Sequence, residues 1–301
     1  MKTLSLLLAC CLFTLAGRSQ QTDKKLTATL QQLLKDFHGQ AGIYVHHLPS
    51  GKEVCINADT IFPTASMIKT TIQVGIFNKI AKGELDYHQQ LVYRDSLLYP
   101  GLDILGSFKD SQKIDLDKVV MLMLTMSDNT ASLWLQSLAG GGTTINAWLE
   151  SNGFKVLRVN SRTAGREANR KEFGWGQTSP REMARLMEMI YKGEVIDPAS
   201  SERMYRNLTR NYWDAQGILQ VPENIRTASK NGAVDESRSE VIMVNAPHGD
   251  YVYCIATKNN ADQSWNKDNE AWQLLRKVGY AIWQHYEPKS KWEPDPSLGK
   301  F

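Results

Sequence analysis

Apolar residues follow a helical spacing in four parts of this sequence. Their recurrence every three or four positions predicts an amphipathic helix with one buried face in each part. These residues are Leu26, Leu30, Leu33, Leu34 and Phe37; Ile68, Ile72, Ile76 and Ile80; Met183, Leu186, Met187 and Ile190; and Leu275, Val278 and Ile282. Helical patterns dominate residues 66–192 and return over residues 268–287.

Five other runs are typical of β-strands, and they lie on both sides of the long helical stretch. Their ranges are 41–47, 52–57, 226–234, 239–245 and 251–258. This order predicts a mixed α/β (α+β) fold, in which an antiparallel five-stranded sheet is built from both ends of the chain and flanked by the first and last helices.

The same order predicts how the chain is divided. We expect a single domain over residues 21–288, with an α/β lobe from 24–65 and 200–288 and an all-helical lobe from 66–199. A functional cleft is expected between the two lobes. The last helix should end before Pro288, and the polar, proline-bearing residues 289–301 predict a loose tail.

One helix start inside this domain is clearly marked. Ser179-Pro180-Arg181-Glu182 has the form of a capping box with proline at the first helical position. A helix is therefore predicted to begin there and to end before Gly193.

The first twenty residues have the layout of a secretory signal peptide. Lys2 precedes an apolar run from Leu4 to Ala16 that is too short to cross a bilayer. We therefore predict removal of residues 1–20 and export to the periplasm or the medium. Leu7-Leu8-Ala9-Cys10 is similar to a lipoprotein cleavage box, but it leaves few apolar residues before the cysteine, so lipid anchoring is the less favoured alternative.

Composition and charge exclude several classes of protein. The net charge is only +3 and the basic residues are scattered, which argues against a nucleic-acid partner. After the N-terminal run there is no stretch of about eighteen apolar residues, so stable membrane insertion is not expected. No Cys/His arrangement indicates a metal site, and we expect a monomer without a cofactor.

Ser66-Met67-Ile68-Lys69 places a hydroxyl and an amine three residues apart at the start of the second helix. Residues i and i+3 lie on neighbouring rows of a helix, so both side chains should face the same way. A serine becomes nucleophilic when a nearby group takes its proton, and a lysine can do so if burial or positive neighbours lower its pKa. An ordinary surface serine and lysine would give the same spacing, so other motifs must decide.

Two later segments complete a known set of motifs. Ser127-Asp128-Asn129 follows an apolar run, and Lys230-Asn231-Gly232 precedes Ala233. S-x-x-K, S-D-N and K-T-G together characterise class A β-lactamases and penicillin-binding proteins. With similar flanks at Phe62-Pro63-Thr64-Ala65, the sequence resembles the class A β-lactamase family over about residues 24–287. The resemblance implies a β-lactamase/transpeptidase-like fold, with Asn231 in place of the usual threonine.

The resemblance also implies a role for each residue of the first two motifs. Ser66 would attack the carbonyl of a cyclic amide, and Lys69 would take its proton directly or through a water. Ser127 would relay that proton to the leaving nitrogen. Asn129 would hydrogen-bond the substrate's side-chain amide, whereas Asp128 is expected to bond nearby backbone NH groups and hold the loop.

The third motif is expected on the opposite wall of the cleft. The Lys230 ammonium would lower the pKa values of Lys69 and Ser127 and attract a substrate carboxylate. Asn231 and Gly232 would lie beside that carboxylate, and the backbone NH of Ala233 would complete an oxyanion hole with that of Ser66. Arg238 lies near the position of a carboxylate-binding arginine in many family members, although a solvated strand-edge arginine is an equal alternative.

The largest departure from the family lies between Arg162 and Pro180. Class A β-lactamases carry here a glutamate that activates the water for acyl-enzyme hydrolysis. If Arg162 matches the family's arginine, Ala164 stands at that position, Glu167 follows three residues later and Glu172 later still. Glu167 is the candidate deacylating base, with a solvated loop carboxylate as its alternative. Acylation is therefore better supported than deacylation.

Cys55 and Cys254 remain after removal of the signal peptide. In the layout that the resemblance implies, they lie on strands that are not neighbours, so we expect two unpaired thiols in the core. A cluster of aromatic residues is expected to line the core and the cleft: Trp134, Trp148, Trp175, Tyr212 and Trp213.

Three functions stay open at this point. The first is a secreted serine β-lactamase that forms a Ser66 acyl-enzyme, and the second is a cell-wall DD-peptidase or esterase of the same fold. The third is a penicillin-binding sensor that acylates without turnover. In each case the partner is a small β-lactam or a cell-wall peptide. A Ser-His-Asp hydrolase is not expected, because no G-x-S-x-G elbow is present.

Overall fold

The computed structural model describes residues 21–101 and 103–294. The predicted signal peptide, residues 1–20, and most of the predicted tail, residues 295–301, lie outside this part of the chain.

The helices follow the predicted apolar stripes. The described residues contain α1 (Lys24–Leu33), α2 (Lys69–Ala81), α3 (Leu116–Thr125), α4 (Asn129–Leu138), α5 (Gly141–Ser151), α6 (Glu167–Phe173), α7 (Pro180–Tyr191), α8 (Pro198–Leu208) and α9 (Glu270–Tyr286). None of the helices within this part of the chain has the length and apolar composition of a transmembrane segment.

The strands form one large sheet and two small ones. Their bounds are β1 (Gln21–Thr22), β2 (Gln40–His47), β3 (Lys52–Ile56), β4 (Phe62–Pro63), β5 (Gln90–Val92), β6 (Lys113–Asp115), β7 (Arg158–Val159), β8 (Gly176–Thr178), β9 (Thr227–Val234), β10 (Ser237–Val244) and β11 (Tyr251–Lys258). The small sheets are β4-β8-β7 and β5-β6.

The large sheet has six strands, not the five predicted, in the order β1-β3-β2-β11-β10-β9. The additional strand is β1, which pairs in parallel with β3, while the other pairs are antiparallel. A strand of two residues is too short to show a periodic pattern, which is why the sequence did not reveal it. The five predicted strands are all present, and β9 forms one edge of the sheet.

The two faces of this sheet bury two separate cores. Neighbouring residues on a strand point to opposite faces. On β10, Ile242 therefore packs with Leu26 of α1 and Val278 of α9, whereas Val241 packs with Met183 of α7 and the helices around it. The helical core lies on the face that carries α7, and the cleft described below opens between it and the edge strand β9.

The capping box is only half formed. The Ser179 hydroxyl accepts a hydrogen bond from Glu182 N, as predicted. The Glu182 carboxylate instead accepts from the backbone NH groups of Lys155, Val156 and Leu157. The start of α7 therefore also fixes the approach to β7.

The two cysteines in the described part of the chain, Cys55 and Cys254, are free thiols. In the sheet register, Tyr44 of β2 lies between Cys254 of β11 and Cys55 of β3, so the two are separated by a strand. Cys254 is buried, but Cys55 is exposed rather than in the core. It lies on β3, where alternate side chains turn away from the core.

Candidate active site

Ser66 lies in a single 3-10 turn, Ala65–Ile68, that leads directly into α2 at Lys69. The residue before the turn is attached to β8, because Thr64 N donates a hydrogen bond to Gly176 O at 3.0 Å. Ala65 has a positive φ of 42°, a conformation that non-glycine residues seldom adopt and that occurs often at functional sites. The strained residue thus immediately precedes the predicted nucleophile.

The Lys69 side chain is completely buried and points at the loop between α3 and α4. Its Nζ donates to Ser127 O at 2.5 Å, to Ser127 Oγ at 3.2 Å and to Asn129 Oδ1 at 2.8 Å. The amine of the first motif is therefore in direct contact with two residues of the second.

Burial lowers the pKa of Lys69 well below its usual value, since a charged ammonium is poorly solvated there. The positive charge of Lys230 lowers the pKa further, and the negative charge of Asp128 acts in the opposite direction. A lysine can accept a proton only as the neutral amine, and a lowered pKa increases the fraction in that form.

Asp128 shapes the loop that presents Ser127 and Asn129. Its Oδ1 accepts from Ala131 N at 2.7 Å and so caps α4, while its Oδ2 accepts from Leu105 N at 3.0 Å. Ser127 itself has a positive φ of 60°. The predicted structural role of Asp128 agrees with these hydrogen bonds.

The third motif lies on the edge strand β9. Lys230 is fully buried, and its Nζ donates to Asn231 O at 3.0 Å and Asn231 Oδ1 at 3.1 Å. Burial lowers the pKa of Lys230 to about 7, although the negative charge of Glu240 opposes this. At neutral pH this lysine is therefore close to its midpoint of protonation.

Gly232 packs directly against the turn that carries the nucleophile. A Cβ atom at this position would lie 2.3 Å from Thr64 O and 2.8 Å from Ser66 N. Only glycine allows so close an approach of two backbones. The approach brings Ala233, the next residue, to the same cleft as Ser66.

These elements enclose a cleft of about 470 Å³. Three of the predicted site residues line it directly, one from each motif region: Ser66, Asn129 and Ala233. Lys69, Ser127 and Lys230 are buried and are not among the residues that line it. The other lining residues include Tyr99, Glu172, Phe173, Trp175, Glu236 and Lys258.

Two of the predicted site residues, Glu167 and Arg238, are not among the residues that line the cleft. Glu167 begins α6 with an exposed side chain that accepts a hydrogen bond from Gly165 N at 3.2 Å. Glu172, at the other end of the same helix, lines the cleft. The two glutamates therefore lie near opposite ends of α6, and the cleft is lined by Glu172 rather than by Glu167.

Arg238 is buried on the far side of the hairpin rather than in the cleft or at a solvated edge. Its guanidinium lies against both Trp265 and Trp272, 4.5 and 4.8 Å from their ring centroids. It donates to backbone carbonyls, among them Ser264 O at 2.9 Å. Its hydrogen bonds and its aromatic contacts therefore hold a loop in place.

Aromatic residues form a wall of the cleft that the motifs did not indicate. Tyr99 and Trp175 meet edge to face, with ring centroids 5.2 Å apart. The Lys69 Nζ lies 5.9 Å from the centroid of the Trp175 ring. Trp175 was expected in the core or cleft, but nothing in the sequence around Tyr99 indicated its position.

The model of the β-lactamase enzyme family matches residues 25–286, and the chain therefore belongs to this family. The match covers the whole of both cores and every motif described above.

Individual relatives are distant. The β-lactamase VEB-1 of Pseudomonas aeruginosa is 21% identical, over 95% of this chain and 98% of its own. A structure of a point mutant of PBP-A, an acyl-enzyme complex with penicillin G, is 26% identical and superposes with a TM-score of 0.79 over 89% of this chain and 98% of that one. A β-lactamase structure from Sphaerobacter thermophilus has the same fold, with 23% identity and a TM-score of 0.78 over 88% and 98%.

Proposed function

We propose that this protein is an exported serine β-lactamase-like hydrolase that opens the β-lactam amide through an acyl-enzyme on Ser66. The observation that carries the proposal is the fully buried Lys69, whose amine contacts Ser127 and Asn129. Asn129 lines the same cleft as Ser66. Few structural roles would require a lysine amine to be removed from water in this way.

Acylation would begin with proton transfer from the Ser66 hydroxyl to the neutral amine of Lys69. The Ser66 oxygen would then form a bond to the β-lactam carbonyl carbon, and the ring C–N bond would break. Ser127 Oγ would pass a proton to the leaving nitrogen, and its distance of 3.2 Å from Lys69 Nζ supports this role.

Electrostatic stabilisation would come from the opposite wall. The backbone NH groups of Ser66 and Ala233 would bind the developing oxyanion, and such donors are typically worth about 3 kcal/mol each. The Lys230 ammonium would attract the substrate carboxylate, with Asn231 and Gly232 beside it. Asn129 would hydrogen-bond the amide of the substrate's side chain.

We expect hydrolysis of the acyl-enzyme to be slower than its formation. Glu172 lines the cleft from α6, and the Trp175 ring centroid lies 5.9 Å from Lys69 Nζ. A second function therefore stays in view: a cell-wall DD-peptidase, or a penicillin-binding protein that is acylated and turns over slowly. The PBP-A acyl-enzyme complex supports it.

The remaining features of the proposal follow from the sequence. We propose that residues 1–20 direct export and that residues 21–288 act as one catalytic domain, monomeric and without metal or cofactor. The substrate is a small molecule, a β-lactam or a cell-wall peptide.

The test is to mix the purified protein with a chromogenic cephalosporin and follow colour and intact mass together. Sustained colour release supports the β-lactamase, and a burst of one equivalent with a persistent adduct supports the slowly deacylating alternative. Neither colour nor adduct would overturn both. Ser66→Ala should lose the adduct and slow turnover by at least about 10³-fold, and Ser96→Ala serves as the matched control outside the motifs.

A further inference from the structure

Ala233 lies near the end of β9, which has a neighbouring strand on one side only. Its partner in the sheet register is Arg238 of β10. The Arg238 NH and carbonyl both hydrogen-bond to the Thr257 hydroxyl of β11, at 2.9 Å each, and so face away from β9. Opposite residues of an antiparallel pair direct their backbone groups either both toward each other or both away. Ala233 therefore turns its NH to the open edge of the sheet.

The Arg238 guanidinium binds the turn that ends this edge strand. Its Nη1 donates to the carbonyls of Val234, of Asp235 at 3.2 Å and of Ser237 at 3.1 Å. These are the last residue of β9, the first residue of the turn and the first residue of β10. One side chain therefore holds carbonyl groups on both sides of the turn, beginning with the residue next to Ala233.

The guanidinium is itself held by the loop that leads into α9. Its Nη2 donates to Ser264 O at 2.9 Å, and the side chain of Asn269, which caps α9, donates to the same carbonyl at 2.9 Å. The rings of Trp265 and Trp272 lie against it. Trp265 Nε1 also donates to Asp235 Oδ1 at 2.8 Å, so the loop and the turn are joined at a second point.

These contacts keep a permanent charge out of water. The Arg238 side chain has no exposed surface, and a guanidinium stays protonated in proteins. Burying such a charge is unfavourable unless hydrogen bonds and aromatic faces replace the lost water. A two-residue hairpin turn forms without any such group. A role beyond closing the hairpin therefore has to explain this arginine.

We infer that Arg238 is a positioning residue that fixes the end of β9 and thereby holds the Ala233 NH at the oxyanion hole. The oxyanion part of this inference rests on the proposed function, whereas the contacts with the turn do not. Misplacing a group at the reacting centre by about 1 Å can cost about 10²-fold in rate, and an edge strand has no second neighbour to prevent it. This role differs from the carboxylate contact that the sequence suggested for Arg238.

The experiment compares Arg238→Met with Arg185→Met. Methionine keeps a long apolar side chain against the tryptophan rings and removes every donor. Arg185 of α7 offers the same chemistry outside the hairpin, since its guanidinium lies 4.6 Å from the Phe154 ring centroid. It also donates to two backbone carbonyls, Asn152 O at 2.9 Å and Gly153 O at 3.2 Å.

The first readout is the reaction with a cephalosporin under single-turnover conditions. We expect Arg238→Met to lower the acylation rate constant at saturating substrate by about 10²-fold and to leave the dissociation constant of the substrate nearly unchanged. The infrared carbonyl stretch of the acyl-enzyme should move to higher wavenumber, because a weaker hydrogen bond polarises the carbonyl less. Arg185→Met should match the wild type in all three measurements.

The second readout is amide hydrogen exchange, which needs no substrate. Because hydrogen-bonded pairs alternate along the ladder, Val234 NH faces Ser237, its register partner. We expect it to exchange at least about 10-fold faster in Arg238→Met. The amide of Ile242, in the interior of β10, should keep its rate, which separates a local release of the turn from a loss of global stability.

Each outcome decides the inference. It is overturned if Arg238→Met and Arg185→Met give the same Val234 exchange rate, or if the Arg238→Met exchange is faster while the carbonyl stretch stays in place. If Arg238→Met does not fold, Trp265→Ala, which removes a mostly exposed ring and the Asp235 hydrogen bond, must move the stretch in the same direction, and an unmoved stretch refutes the inference.

Failure of the proposed function gives a different result. A wild type that no cephalosporin acylates removes the proposed function. Faster Val234 exchange in Arg238→Met would then still support the fixing of β9 by Arg238, and unchanged exchange would overturn it.

Discussion

Two lysines in one cleft must carry different charges for the proposed reaction to occur. Lys69 has to be neutral to take a proton, and Lys230 has to be charged to attract a carboxylate. Burial lowers the pKa of both lysines. The pKa of Lys69 lies well below its usual value, because the positive charge of Lys230 lowers it further and the negative charge of Asp128 only opposes this, whereas the pKa of Lys230 is lowered to about 7 with the negative charge of Glu240 opposing burial. Identical side chains thereby acquire separate roles.

This difference predicts the pH dependence of acylation. Lys230 has a pKa lowered to about 7, so the rate of acylation by a carboxylate-bearing cephalosporin should fall as the pH rises through that value. Lys230→Arg keeps the positive charge at all these pH values and should flatten the alkaline limb. Lys230→Ala should be slower by about 10²-fold. The measurement is kcat/KM from pH 5.5 to 9, and an alkaline limb that persists in Lys230→Arg would assign it to another group.

The two glutamates of α6 allow a matched comparison. Glu172 lines the cleft and Glu167 does not. We expect Glu172→Gln to slow loss of the acyl adduct by about 10²-fold or more if its carboxylate handles the water, and Glu167→Gln to clear the adduct as fast as the wild type. Intact mass after removal of excess substrate measures both rates. The reverse ranking would identify Glu167 as the deacylating base, as the sequence predicts.

The contiguous motifs could be read from the sequence because each one is local. The structure puts Ser66 in the 3-10 turn and Lys69 at the first residue of α2, and it brings Lys69 into contact with Ser127 and Asn129 of the second motif. The positions of Glu167 and Arg238 depend on distant parts of the chain: Arg238 is held by Trp265 and Trp272, and no local pattern announces such a partner.

Among the elements, the predicted strands differ from the observed ones by no more than two residues at either end. Their length and apolar character made them visible. The elements that were missed are short, such as β1 and α6, and tertiary pairing rather than propensity stabilises elements of that length.

The contact between β9 and the 3-10 turn predicts that one methyl group added at Gly232 strongly reduces both acylation and stability. Gly232→Ala would place a Cβ 2.3 Å from Thr64 O and 2.8 Å from Ser66 N, which are both backbone atoms and cannot rotate away. The strand and the turn must then separate, so we expect loss of acylation by about 10²-fold and destabilisation by about 1–3 kcal/mol.

The control for that variant is Gly51→Ala. Gly51 also sits in a restricted conformation, with φ of 68°, but an added Cβ meets no atom within 4 Å. It should lower stability by about 1 kcal/mol without changing the acylation rate. If Gly232→Ala is acylated as fast as Gly51→Ala, the two backbones are not held as closely as the structure shows.

At the scale of the whole molecule, the cleft depends on the two ends of the chain meeting. Ser66 follows the first strands, whereas β9 comes after the helical core, and both must be placed by one sheet. The described N-terminus is joined to the C-terminal helix by Asp23. Its Oδ1 accepts from Leu26 N at 3.0 Å, which caps α1, and its Oδ2 lies 2.9 Å from His285 Nε2 of α9.

This junction predicts how stability changes with acid. Burial raises the pKa of Asp23, but its hydrogen bonds to Leu26 and His285 outweigh that effect, and the net pKa lies below its ordinary value of 3.8. A carboxyl group with a lowered pKa in the folded state stabilises the protein above its unfolded-state pKa, and this contribution disappears as the pH falls through the folded-state pKa. Asp23→Ala should therefore lower the free energy of unfolding by about 1–2 kcal/mol at pH 7, and the difference from the wild type should shrink below pH of about 4. Urea unfolding at several pH values measures this difference in the free energy of unfolding.

Because Asn caps helices as well as Asp does, Asp23→Asn should retain most of the stability at pH 7 and lose only the acid-dependent part. A gap between wild type and Asp23→Ala that stays constant down to pH 3 would show that the cap acts through geometry alone and that the charge does not contribute to joining the two ends.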